Sequence, residues 1–178
     1  MRSFRITKYN PSYRNNEGEY IKEDWTSISD IGKIFCNKEF SAKDYFTTEN
    51  MYIDSILKVM NYIKLDKLEV AGLEKNFSYE EDVSSYREKY KEHYPEEMEY
   101  IFESICDTKN LYTKEVEMIS RLILREHIWC KLQIENVMFL HFGYDYYMYI
   151  GCHLDLETIN QLIGETGLYV EEKESPYL

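Results

Sequence analysis

The chain has 178 residues, with 33 Asp and Glu against 21 Lys and Arg and a formal net charge of -12. That length fits one domain, and 44% hydrophobic residues with only three Pro and seven Gly exclude a long disordered or fibrous segment. The charge argues against nucleic acid and anionic membrane surfaces as partners, because both are bound through clustered Lys and Arg and no such cluster occurs here.

The opening residues are charged from Arg2 onward and contain no apolar run, so they do not read as an export signal. No stretch approaches the roughly 18 apolar residues of a membrane span. Cys36, Cys106, Cys130 and Cys152 are widely spaced and form no C-x-x-C pair, the pattern of reduced thiols in a cytoplasm. Eighteen Tyr beside only two Ala, Ala42 and Ala71, fit the codon usage of an AT-rich bacterial genome better than an aromatic recognition surface.

In chain order, alternation at Phe4, Ile6 and Lys8 predicts a strand over 3–9, ended by Asn10-Pro11. Turn residues at 15–18 suggest a hairpin with a short strand over 19–22. Ser27-x-x-Asp30 has the form of a capping box ahead of Ile31, Ile34 and Phe35, which predicts a short helix there. Tyr52, Ile53, Ile56, Met60 and Ile63 form one stripe of a helix over 48–63, with Ser41-x-x-Asp44 able to extend it backwards. A brief strand follows over 67–73.

Between residues 74 and 107 the character changes, with eleven acids against four bases. Residues 1–73 carry eleven of each, so more than half of the net charge lies in about a fifth of the chain. Ser78-x-x-Glu81 and Pro95 mark two helix starts, and the segment reads as an acidic helical hairpin over 78–106. Glu80, Glu81, Asp82, Glu88, Glu92, Glu96, Glu97 and Glu99 are its candidate binding surface.

Thr113 is placed to cap a helix ending near Glu126, and Val116, Ile119 and Ile123 form its buried face. Residues 128–152 then read as a three-stranded antiparallel meander turned at Glu135-Asn136 and Gly143-Tyr144. Asp155 caps a last helix, 168–171 forms a final strand, and 172–178 resembles a loose tail. The expected architecture is a single α+β domain, an antiparallel sheet with a C-terminal meander packed against several helices.

Two-residue turns would set Cys130 opposite His141 and bring Cys152 to the same face, a start on a structural zinc site. That face also carries Leu132, Ile134 and Ile150, so buried thiols and a core histidine outweigh metal, and no cofactor is expected. The other face would carry Trp129, Met138, Leu140, Phe142, Tyr147 and Tyr149, which calls for helices on both sides of the sheet or for a binding surface. No G-x-S-x-G, P-loop, G-x-G-x-x-G or H-E-x-x-H occurs, which leaves His141 and Asp145 as the candidates for any catalysis.

Three stretches, 5–11 with Tyr9-Asn10-Pro11, 23–32 with Asp24-Trp25-Thr26-Ser27, and 142–151 with Gly143-Tyr144-Asp145-Tyr146-Tyr147, resemble segments of short uncharacterised bacterial proteins. In size, acidity and α+β layout the chain is also similar to the immunity proteins that neutralise bacterial toxins. With the charge concentrated at 74–107, the chain is expected to be a cytoplasmic, non-enzymatic binding module, monomeric or homodimeric, whose acidic hairpin meets a basic protein partner in the manner of such an inhibitor. The alternatives are a small hydrolase or nuclease-like enzyme with a site beside the meander, and an oligomerising structural protein.

Overall fold

In the computed structural model, which describes residues 1–178, seven strands form one antiparallel sheet and six helices pack with it. The elements in chain order are β1 (Arg2–Thr7), a small hairpin of β2 (Ile34–Phe35) and β3 (Lys38–Glu39), α1 (Ala42–Tyr62) and β4 (Lys67–Glu74). The acidic region follows as α2 (Tyr79–Asp82), α3 (Ser84–Lys89) and α4 (Glu96–Ser104). After it come β5 (Asn110–Tyr112), α5 (Thr113–Leu124), β6 (Trp129–Ile134), β7 (Met138–Phe142), β8 (Met148–Cys152), α6 (Leu156–Gly164) and β9 (Tyr169–Glu172). Strand order is β5-β4-β6-β7-β8-β1-β9, so the meander forms the middle and β1 is clamped between β8 and β9.

The period of the apolar residues decides what packs on what. Leu132, Leu140, Ile150 and Phe4 stand side by side on four adjacent strands, and all four are fully buried. In the same core lie Tyr52, Ile56 and Val59 of α1 and Val116, Ile119 and Ile123 of α5, both sets spaced at three and four, with Ile159 and Ile163 of α6 four apart. Burying one such aliphatic side chain contributes about 1.5–3 kcal/mol. Capping fixes the helix starts: Ser41 and Asp44 form a reciprocal box that begins α1 at Ala42, six residues before Thr48, Ser78 and Glu81 begin α2, and Asp155 accepts the Thr158 amide.

The meander register differs from the two-residue-turn expectation. Ile134 pairs with Met138, leaving a three-residue loop in which Asn136 takes a positive φ of 58°. Asn tolerates that left-handed conformation, and the extra residue moves every β6–β7 partner by one, while the next connection spans residues 143–147 instead of the two-residue Gly143-Tyr144 turn and sets His141 against Tyr149. Cys130 therefore shares the helix-covered face with Leu132, Leu140 and Ile150, whereas His141 pairs with Tyr149 on the opposite face beside Phe139. The proposed Cys130–His141–Cys152 grouping does not form.

Helices seal only one face of the sheet. The second face carries Phe139, His141, Tyr149 and Arg5, which are buried without joining the main core, and it is covered by non-helical chain. Arg14 and Arg5 both meet Glu171 there, at 3.1 and 2.9 Å. The terminal residues, expected as a loose tail, strap the same face: Ser175 is buried with its Oγ 2.8 Å from His141 Nδ1, and the Tyr177 ring packs near Trp129 and Tyr149.

Four further expectations are corrected. The strand over 19–22 is reduced to a single bridge between Arg14 and Tyr20. The Ser27/Asp30 box caps only one 3-10 turn over Ile28–Asp30, because Gly32 takes a φ of +96° and the chain then enters β2. The first arm of the acidic hairpin is broken into α2, α3 and a 3-10 turn over Lys91–His93. Thr113 is the first residue of α5 rather than its cap, and the Tyr112 amide is satisfied by the Glu115 carboxylate instead.

Candidate active site at the end of the meander

The β7–β8 connection, residues 143–147, is closed by the Gly143 N–H donating to the Tyr147 carbonyl at 2.8 Å. Its central residues Asp145 and Tyr146 take φ of 59° and 62°, a region that bulky residues rarely occupy. Such strain persists where the surroundings over-determine it. Here the Tyr9 hydroxyl donates to the Asp145 carbonyl at 2.8 Å and the Tyr52 hydroxyl donates to the Tyr146 carbonyl at 2.7 Å. The Tyr146 ring is wedged among Trp25, Tyr52 and Tyr45, with centroids 4.9, 5.2 and 5.8 Å away. Burial raises the pKa of both Tyr9 and Tyr52, which keeps them as hydroxyl donors.

Opposite this loop the chain leaves α5 through Arg125, Glu126 and His127 into β6. Glu126 also has a left-handed φ, 65°. The turn is fixed by His127, whose Nδ1 lies 3.0 Å from Asp82 Oδ2 and whose Nε2 lies 3.0 Å from the Tyr94 hydroxyl. Burial lowers the His127 pKa although Asp82 pulls the other way, so the ring is neutral near pH 7. Since a carboxylate only accepts, Nδ1 carries the proton and Nε2 accepts from Tyr94. With both nitrogens used, His127 positions the turn and is not free to act as a base.

Between the two strained segments lies a cavity of about 660 Å³, within the range of ligand sites. Ile123, Leu124, Ile128 and Phe142 supply its apolar part, and Phe77, Trp129, Tyr144 and Tyr177 its aromatic walls. Trp129 is held in place by its indole N–H donating to the Phe142 carbonyl at 2.9 Å. Four carboxylates line the same space, Glu74, Asp82, Glu126 and Asp145, with no Lys or Arg among the lining residues. Glu126 lies exposed at the rim, and its pKa is raised by partial burial of the carboxyl and by the charges of Asp30 and Asp145.

The structure separates the residues singled out in the sequence. Asp145 lines the cavity, but His141 does not; it is buried on the second sheet face, stacked on Phe139 at 4.2 Å, and burial together with Lys131 lowers its pKa to about 4. His141 and Asp145 therefore do not form one catalytic pair. Cys130 is buried in the core with its thiol pushed up to about 12, and no group of three or more His, Cys, Asp or Glu side chains is placed to hold a metal ion.

The eight acidic candidates divide into two sets. Glu81 caps α2, Asp82 holds His127, Glu99 pairs with Arg87 at 2.7 Å and Glu97 lies 3.8 Å from Lys114. Glu80, Glu88, Glu92 and Glu96 are exposed and make no ion pair. The residues that the sequence reading passed over are Glu74, Glu126, His127 and the aromatic wall. Their one signal was Arg125-Glu126-His127, three polar residues interrupting the passage from an apolar helix stripe to an apolar strand. No family model, curated protein or solved structure matches the chain.

Proposed function

We propose that this protein is a cytoplasmic, non-enzymatic binding module that engages a basic protein partner, in the manner of an inhibitor that neutralises a bacterial toxin. The observation that carries this reading is the set Glu80, Glu88, Glu92 and Glu96: exposed, without ion pairs, and confined to the excursion between β4 and β5. Net negative charge gathered in one segment, eleven acids against four bases over 74–107, steers an oppositely charged partner and makes association fall with salt. Four free thiols, two of them buried, support a reducing compartment.

The test is affinity capture from the native host at low and at moderate salt, with bound proteins identified by mass spectrometry. A basic protein retained at low salt and released as salt rises is the expected result. Retention of no basic partner under either condition overturns the reading.

A second reading, a small hydrolase with its site beside the meander, draws on the clustering of three left-handed residues, Glu126, Asp145 and Tyr146, around one cavity. In that case Glu126, with its raised pKa, is the proton donor and Asp145 the carboxylate facing it. Hydrolysis of a substrate panel that is abolished by Glu126→Gln supports it, and unchanged turnover in that variant removes it.

A further inference from the structure

We infer that the cavity at the end of the meander is the receptor for an arginine side chain of the basic partner, an inference that rests on the binding-module reading above. Charge is the first argument. Three of the four lining carboxylates, Glu74, Glu126 and Asp145, form no ion pair within the chain, and the fourth, Asp82, meets only a neutral histidine. An apolar-walled space that gathers negative charge without a cation is completed by a cation from outside. Partial burial first, and then the charges of Asp30 and Asp145, raise the pKa of Glu126.

Shape and surface chemistry select the kind of cation. Trp129, Tyr144, Phe77 and Tyr177 line the same cavity as those carboxylates, and aromatic faces attract a cation through their quadrupole. A guanidinium is planar, stacks on rings, sheds water more readily than an ammonium and donates to carboxylates in a fork. The cavity is therefore suited to arginine more than to lysine. Its position also fits a protein ligand: Asp82 belongs to the acidic excursion, so a partner drawn by Glu80 and Glu88 arrives at the cavity mouth.

The receptor is built in advance. Tyr9 and Tyr52 hold the Asp145–Tyr146 side from below, and Asp82 and Tyr94 hold the Glu126–His127 side through the imidazole. Neither side must reorganise to accept a ligand, which lowers the entropic cost of binding.

Calorimetric titration with three capped peptides tests this: one containing two arginines, the same peptide with citrulline, which is uncharged and of equal shape, and the same with lysine. The arginine peptide is expected to bind about tenfold more tightly than the citrulline peptide and more tightly than the lysine peptide. Binding is expected to weaken about tenfold in the double variant Glu126→Gln, Asp145→Asn, and to change by less than about twofold at moderate salt in Asp54→Asn, Glu157→Gln, which neutralises exposed carboxylates outside both the cavity and the acidic excursion. Asn is well tolerated at a left-handed position, so Asp145→Asn alone serves as a second, fold-preserving variant. Equal binding of arginine and citrulline peptides, or wild-type affinity in both cavity variants, overturns the inference. Loss of arginine-peptide binding in Glu88→Gln, Glu92→Gln, Glu96→Gln, with wild-type affinity kept in both cavity variants, also overturns it while leaving the basic-partner reading intact. Methylguanidine binding as tightly as the peptide overturns a protein ligand and makes the cavity a small-cation site. Failure of host capture together with failure of every peptide removes both.

Discussion

The Tyr52 hydroxyl donates to the Tyr146 carbonyl at 2.7 Å and accepts the Lys8 amide N–H at 2.8 Å. One fully buried oxygen thereby ties α1 to the end of β1 and to the strained residue of the cavity loop. Tyr52→Phe keeps the ring and orphans two backbone groups. Each buried unsatisfied group costs about 1–3 kcal/mol, so the variant is expected to lose about 2–6 kcal/mol in urea denaturation. A loss below about 0.5 kcal/mol would show that the loop holds its left-handed turn without this tether.

Glu49 is fully buried on α1 and receives both arms of the Arg125 guanidinium from α5, at 2.7 and 2.8 Å, with Arg121 donating to it at 2.7 Å. Arg125 is also placed over the Tyr94 ring at 4.4 Å and donates to the His93 carbonyl. Removing one partner of such a pair leaves a buried charge uncompensated, at a cost of about 3–5 kcal/mol, so Glu49→Gln is expected to be among the most damaging single changes. The double variant Glu49→Leu, Arg125→Met should recover a large part of that loss, measured as a denaturation midpoint. A double variant no more stable than Glu49→Gln would assign the pair a role beyond charge compensation.

The parts of this fold that could be read in the sequence are those in which a local pattern and the tertiary packing agree. The stripe on α1, the Ser41, Ser78 and Asp155 caps and the three meander strands are of that kind. The register was not, because one residue in the 135–137 loop moves His141 from the core face to the other, and no local feature but the turn itself decides it. The cavity was illegible for a different reason. Its walls come from the 74–82 segment, the end of α5, the 143–147 loop and Tyr177, which are far apart in sequence, and only Asp145 and Asp82 stood out individually.

Gly151 faces Phe139 across β7 and β8, and a Cβ built on it would lie 2.0 Å from the Phe139 ring. The ring occupies the space a side chain would fill, and it stacks on the His141 ring. Gly151→Ala is therefore expected to destabilise by about 1–3 kcal/mol through overpacking. Phe139→Leu in the same chain should relieve part of it, so the two changes should couple by more than about 0.5 kcal/mol in a double-mutant cycle. Strict additivity would show that the sheet gives way instead of the ring.

His141 sets the response to acid. Its pKa is lowered to about 4 by burial and by Lys131, whereas an unfolded histidine titrates near 6.5. Between those values the unfolded chain binds a proton that the native state refuses, so stability rises with pH across the window. The contribution is present in full above about pH 6.5 and is lost as pH falls towards 4. His93 and His127 are lowered in the same direction, chiefly by burial, and steepen the slope. Carboxylates whose pKa values are depressed, such as Asp30 and Asp44, lose their share at lower pH. In His141→Gln the amide still reaches for Ser175 Oγ but does not titrate, so the fall in stability from pH 6.5 to 4.5 should be shallower than in the wild type even where stability at pH 7 is lower. Urea denaturation at pH 7, 5.5 and 4.5 measures both slopes, and parallel slopes would move the acid response to the other two histidines.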